Sequence, residues 1–213
     1  MLTIACVYNS QISTKGPQYN EDWVDKLYRA VNRNIDIPFK FVCLSNVTTK
    51  YDTVPLSLNL NGYWNKVELF RKDLFSGPVL YLDLDVVICK NITVPLQELP
   101  SDKFLMVQEP YRDIINSSVM YWSGDYSHLY NNFNTHIPNE YDNINRSGCL
   151  GDQAYIAENI EYDIIENYTM QGFIGWRHHK VETSAVDPSL LIFTSTEKPS
   201  NNTKLELVKQ NWI

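Results

Sequence analysis

No run of about 18 apolar residues occurs in the chain, so the sequence offers no helix able to cross a membrane. The start has no basic stretch leading into an apolar one: Met1-Leu2-Thr3-Ile4 passes directly into strand-like residues. No signal peptide is therefore read, and the cytoplasm is the expected location. There is no C-x-x-C pair and no histidine at metal spacing from a cysteine. Cys6, Cys43 and Cys89 lie inside apolar runs, Cys149 stands apart, and free thiols acting as small hydrophobes are expected. Positive charge is scarce too, with 18 Lys and Arg against 25 Asp and Glu and a net charge of -7. That balance excludes a broad nucleic-acid surface, which needs a basic face. Any phosphorylated substrate would have to meet a few well-placed lysines or arginines, or a metal. Glycine is rare as well, eight in 213 residues.

What is present alternates strand and helix patterns. Leu2 to Tyr8 reads as a buried strand. From Tyr19 the period changes, and Trp23, Leu27, Ala30 and Val31 share a helix face whose first turn holds Glu21 and Asp22. Phe39 to Leu44 is a second strand and Thr53 to Leu58 a weaker one. Tyr63 to Phe75 predicts a helix with Val67, Phe70 and Leu74 inward, stopped by Ser76-Gly77-Pro78. Val79 to Ile88 predicts one buried strand. Further strands are expected at Phe104 to Gln108, Asn116 to Trp122 and Ser189 to Thr194, with a short helix over Asp125 to Phe133 and another over Gly151 to Asn159. The Asn-rich stretch from Asn131 to Asn145 reads as loop. Without repeats, linker or composition break, the chain is expected to form one α/β domain over residues 1–213.

The strongest chemical signal is Tyr81-Leu82-Asp83-Leu84-Asp85-Val86-Val87. Carboxylates are poorly tolerated in buried strands because their desolvation is expensive. On a strand, residues i and i+2 share a face, so Asp83 and Asp85 are expected to point the same way. Two such charges repel unless a cation intervenes, and Mn²⁺ or Mg²⁺ is the natural partner for hard oxygen ligands.

In this setting the chain resembles the nucleotide-diphospho-sugar transferases of GT-A fold, in particular the glycogenin-like and lipopolysaccharide-galactosyltransferase-like group. Four segments carry the likeness in order: YWNKVELFR from Tyr63, GPVLYLDLDVVI from Gly77, NSSVMYW from Asn116 and GDQAYIAE from Gly151. The resemblance implies a Rossmann-like α/β domain with a central mixed, mostly parallel sheet flanked by helices. Residues 1–90 would form its nucleotide-binding half and 91–213 its donor-sugar and acceptor half. It implies transfer of a sugar from a nucleotide-diphosphate donor, a UDP-hexose, to a carbohydrate or other hydroxyl acceptor, with Mn²⁺ or Mg²⁺ as cofactor and retention of configuration. It assigns the metal to Asp83 and Asp85, and donor contacts to Tyr8, Asn9, Lys66, Asp83, Asn116, Ser117 and Ser118. Asp152 and Gln153 would stand beside the anomeric carbon. Arg71 is a weaker donor candidate, and Asp152 also suits a plain helix N-cap.

The chain departs from the family near its end. Relatives carry a third metal ligand, a histidine, in a segment of the type F-H-G-x-x-K-P; here Thr194 stands in that place, within Phe193 to Pro199. A hydroxyl is a far poorer Mn²⁺ ligand than imidazole, so the metal is expected to bind weakly without nucleotide. His178 or His179 is the candidate substitute, and Arg177, Lys180 and Lys198 are the local cations for phosphate. Two other readings stand beside this one. A nucleotidyltransferase shares the fold, but Val7-Tyr8-Asn9-Ser10-Gln11 holds no Gly-rich loop. A relict carbohydrate-binding module would use the aromatics Tyr111, Tyr121, Trp122, Tyr126 and Tyr130, which core packing also explains.

Overall fold

In the computed structural model, the described residues are 1–11, 18–58, 60–110, 114–143, 149–170, 172–178, 181–182, 187–194 and 197–213. In chain order they form β1 (Leu2–Tyr8), α1 (Glu21–Asn34), β2 (Phe39–Ser45), β3 (Asp52–Pro55), β4 (Val79–Leu82), β5 (Val87–Ile88), α2 (Thr93–Glu98), β6 (Leu105–Glu109) and β7 (Ile114–Trp122). After these come α3 (His128–Asn131), α4 (Ile137–Asn143), α5 (Gly151–Asn159), β8 (Asp163–Ile164), β9 (Ile174–His178), β10 (Val181–Glu182), β11 (Leu190–Phe193) and α6 (Glu206–Asn211). Three 3₁₀ segments, Gly62–Phe70, Ile165–Asn167 and Pro199–Asn201, lie between them.

β1 lies inside a seven-stranded sheet of order β3-β2-β1-β4-β7-β6-β8. It runs parallel to both β2 and β4, whereas β7 is antiparallel to β4 and β6. Alternation along β1 feeds two cores: Ile4, Cys6 and Tyr8 join one cluster with Trp23, Leu27 and Val31 of α1, while Ala5 joins Trp64, Val67 and Tyr155 on the opposite face. Helical cover on both faces is what a mostly parallel sheet requires. A second sheet, β10-β9-β11-β5, takes its edge from β5.

Several expectations need correction. Val79 to Ile88 is not one strand. β4 ends at Leu82, a turn follows, and β5 belongs to the other sheet. Apolar residues on both sides of the turn are buried in different places, which makes the run look continuous. The predicted helix from Tyr63 to Phe75 is a 3₁₀ helix ending at Phe70. Seven consecutive residues, Trp64 to Phe70, are buried there, and no single amphipathic face describes them. α4 occupies part of the Asn-rich stretch read as loop. Sequence reading also passed over α2, α6 and β8 to β10, all of them short.

Chain order from β1 goes outward to β2 on one side and later to β4 on the other. In open α/β sheets ligands bind beyond the carboxyl ends of strands at such a reversal. Asn9 and Asp83 are the residues that follow β1 and β4 there.

Candidate active site

The turn after β4 carries the two carboxylates. The N–H of Val86 donates to the carbonyl of Asp83 at 3.1 Å, closing the turn, and the N–H of Asp83 donates to the carbonyl of Ser118 at 2.8 Å. Leu84 and Val86 are buried in the α1-side core and pin the turn between them. The residues on β7 that receive it are out of step with β6: Met106 pairs with Met120 but Val107 with Asn116, leaving residues 117–119 unmatched on that side. Such a bulge re-aims side chains beside a site. Here it aims Ser117.

Asp83 faces a buried lysine. Lys66 Nζ lies 3.1 Å from Asp83 Oδ1, 3.3 Å from Asp152 Oδ2 and 2.9 Å from Ser117 Oγ. Ser117 Oγ in turn donates to Asp152 Oδ2 at 2.7 Å, and the Tyr81 hydroxyl donates to Asp83 Oδ1. Burial by itself would lower the Lys66 pKa, but Asp152 and Asp83 outweigh it and hold the ammonium above its ordinary value. Burial raises the pKa of Asp152, with Lys66 and Ser117 pulling the other way. Asp152 is not the helix cap, since Leu150 occupies that position. Its carboxylate is turned inward instead. Gly151 makes this possible: its φ is +67°, and a Cβ there would lie 2.5 Å from Cε2 of Tyr63. The Tyr63 hydroxyl is itself anchored on Asp142 Oδ1 at 2.6 Å.

Asp85 meets a different lysine. Lys198 Nζ is 2.6 Å from Asp85 Oδ2, which also accepts from the Tyr19 hydroxyl at 3.1 Å. Burial, followed by the charges of Asp85 and Asp83, holds the Tyr19 pKa well up, so both carboxylates of the turn act on this phenol. The backbone of Lys198 is fixed by its N–H to Asn201 Oδ1 at 2.9 Å and by Asn202 Nδ2 to its carbonyl at 2.9 Å. Asn202 Nδ2 also donates to Glu197 Oε2 at 2.9 Å, and Arg177 Nε donates to Asn202 Oδ1 at 3.0 Å.

The remaining expected residues divide. Tyr8 is buried on the α1 side, and Asn9 donates to the carbonyl of Leu60 at 3.2 Å while accepting from the N–H of Gln11. Asn116 is committed to Glu109 Oε1 at 3.1 Å and to the N–H of Ser118 at 2.8 Å. Ser118 is buried and meets the turn through its carbonyl. Gln153 is half-buried on the first turn of α5, and its amide bonds to no described residue. Arg71 is not brought to the site. Two of its nitrogens are buried without a partner, beside a 240 Å³ cavity lined by Phe75 and Trp122 near the start of β4. Arg177 serves the Asn202 network. Thr194 is buried, its N–H donating to the carbonyl of Arg177 at 3.0 Å. Of the aromatic group, Tyr121 and Trp122 are core residues, Tyr126 packs edge-on against Phe104, and Tyr130 reaches Ser57. Tyr111, His179 and Lys180 lie outside the described residues. Sequence reading missed Tyr19 and Tyr81, whose types give no signal until the turn brings them to the carboxylates.

No protein-family model matches the sequence, and no curated protein is significantly similar to it. Similarity appears among solved structures. The chain superposes over 98% of its length on 96% of LgtC, crystallised as an active-site Gln-to-Glu mutant, with a TM-score of 0.63 and 11% identity. The galactosyltransferase LgtC in complex with donor and acceptor sugar analogues gives 0.60 at the same identity, over 98% of this chain and 96% of that one. GlyE of Streptococcus pneumoniae TIGR4 gives 0.64 at 13% identity, with 99% of this chain on 58% of that one. The bifunctional glycosyltransferase WbbM gives 0.63 at 8% identity, with 98% of this chain on 48% of that one. The fold is that of the GT-A glycosyltransferases. At these identities the likeness is one of architecture.

Within the GT-A architecture, the donor chemistry of the turn fits a hard divalent cation only as a half-site. Asp83 and Asp85 supply carboxylate oxygens, the right type for Mn²⁺ or Mg²⁺. Among the described residues, no group of three or more His, Cys, Asp or Glu converges to complete the set. No described helix is long and apolar enough to cross a membrane.

Proposed function

We propose that the protein is a glycosyltransferase that moves a hexose from a UDP-sugar to a carbohydrate or other hydroxyl acceptor, assisted by Mn²⁺ or Mg²⁺. The observation that carries this reading is a juxtaposition: Asp83, Asp85, Lys66 and Asp152 gather beyond the strand ends at the chain reversal, in the fold of known glycosyltransferases. Cytoplasmic location and a division into nucleotide-binding and sugar-binding halves near residue 90 belong to the same proposal.

A cation held by Asp83 and Asp85 would neutralise the diphosphate as it departs. The chain does the rest. In the transfer, the bond from the anomeric carbon to the diphosphate oxygen breaks, its electron pair leaves with the nucleoside diphosphate, and the acceptor oxygen forms the new bond. Asp152, held by Lys66 and Ser117, keeps its carboxylate near the sugar, where it steadies the positive charge that grows on the ring. Gln153, unengaged on the same turn among the described residues, would bond a sugar hydroxyl, and LgtC has a glutamine in its active site. With the acceptor proton passing to the leaving phosphate oxygen, configuration is retained. Tyr8 and Asn9 at the end of β1 would border the nucleobase and ribose, and the 116–118 bulge would border the donor sugar.

Asp85→Ala tests the reading. Turnover of a UDP-hexose should fall at least ~100-fold, about 2.7 kcal/mol of barrier. Near-normal turnover by the folded variant would remove the metal assignment. Release of pyrophosphate in place of UDP would instead favour a nucleotidyltransferase.

A further inference from the structure

The two lysines at the turn are bonded differently. Lys66 spends its ammonium on three acceptors from three elements: Asp83, Ser117 and Asp152. Lys198 spends its ammonium on Asp85 alone, leaving two N–H donors with no partner among the described residues. Its backbone is nevertheless fixed through Asn201 and Asn202, so only the four-carbon stem has freedom to swing. The carboxylate it holds is 5% exposed and the lysine side chain 16%. A divalent cation that used Asp85 would have to come within about 2–2.6 Å of the same carboxylate, where a resident ammonium opposes it at short range and low dielectric.

We propose that Lys198 is an exchangeable counter-ion: it holds Asp85 in the free protein and releases it to the cation only when a nucleoside diphosphate gives the ammonium another acceptor. Metal and nucleotide then bind as a couple, because each removes an obstacle to the other. Tyr19 stays hydrogen-bonded to Asp85 throughout and keeps the carboxylate oriented during the exchange. The inference rests on the glycosyltransferase reading for the identity of the diphosphate. It concerns how the Lys198 ammonium is shared between Asp85 and the diphosphate rather than the bond-breaking step.

The test is a binding cycle on the full chain, read by Mn²⁺ electron paramagnetic resonance and by thermal shift with UDP. Wild type should bind Mn²⁺ poorly alone and at least ~10-fold more tightly with UDP, the size of an ordinary coupling. Lys198→Met should invert the pattern. Its affinity for Mn²⁺ alone should rise at least ~10-fold, its affinity for UDP in EDTA should fall, and the coupling should shrink toward none. Lys198→Arg should behave as wild type, and the double variant Asp85→Asn, Lys198→Met should lose the gained Mn²⁺ site. Should Lys198→Met fail to fold, Lys198→Gln keeps a hydrogen-bond donor without the charge and carries the same expectation. Unchanged Mn²⁺ affinity in a folded, UDP-binding Lys198 variant overturns the exchange and leaves the glycosyltransferase reading standing. Wild type that binds no UDP in any condition overturns that reading, and the exchange with it.

Discussion

Lys66 and Lys198 answer the same electrostatic problem at neighbouring positions of one turn, and they answer it in opposite ways. Lys66 rises from a 3₁₀ helix on the Trp64 side of the large sheet and binds two carboxylates and a hydroxyl at once. Lys198 reaches over from the segment after β11 and binds one carboxylate oxygen. A half-buried carboxyl shows what happens with no lysine at all. Glu166, on the 3₁₀ turn after β8, has one oxygen buried without a partner, and burial pushes its pKa up to about 7 despite backbone hydrogen bonds. The comparison teaches that a cation held by three acceptors ties its elements together, a cation held by one has less to give up on leaving, and the Glu166 carboxyl, with no cation, is left to the effect of burial.

The largest expected effect separates the two lysines by stability. Lys66→Met strands Asp83 and Asp152 together and should lower unfolding free energy by about 3–5 kcal/mol in metal-free urea melts. Lys198→Met should lose less than half as much. Equal losses would erase the distinction. Next, Gly151→Ala should disturb the Lys66 centre while leaving the Lys198 pair intact. The added methyl meets the Tyr63 ring at 2.5 Å and the φ of +67° disfavours any side chain, so a loss of about 2–4 kcal/mol is expected. A Gly151→Ala protein as stable as wild type would show that the ring can give way.

The smallest effect concerns the lone carboxyl. Between the unfolded value near 4.3 and the folded value of about 7, the native state binds more protons at Glu166 than the unfolded chain does. Stability should therefore fall as pH rises through that window and level off above it. Glu166→Gln should remove this slope and stabilise the protein by about 1–3 kcal/mol at pH 8. A wild-type-like pH profile in that variant would mean that the slope does not come from Glu166.

Much of this was legible in the residues. α1 announces itself by period and β1 and β2 as short apolar runs, and the paired aspartates stand out because apolar residues surround them on both sides. The same surroundings hid the turn. Leu84 and Val86 are as buried as any strand residue, so hydrophobicity cannot show that the chain leaves one sheet for another between them. Lys66 was read as a donor contact from its segment, but its bond to Asp152 depends on the β7 bulge and the left-handed Gly151, neither of which has a period. Arg71, one step further along, was drawn the wrong way because the segment ends as a 3₁₀ helix and turns it toward Trp122. Tyr19 and Tyr81 were missed because a tyrosine near a strand or helix looks like packing until its hydroxyl finds a carboxylate.

The two lysine pairs also differ in how far along the chain they reach. Lys66 and Asp83 are 17 residues apart, whereas Lys198 and Asp85 are 113 apart. Loop-closure entropy makes the first contact the easier to form while the chain is still being made. The large sheet can gather its first four strands and its inner lysine while β11 is still unsynthesised. The second carboxylate must wait, flanking a two-residue strand whose partner among the described residues is β11. The turn where the chemistry is proposed to begin is thus completed after the large sheet that carries it.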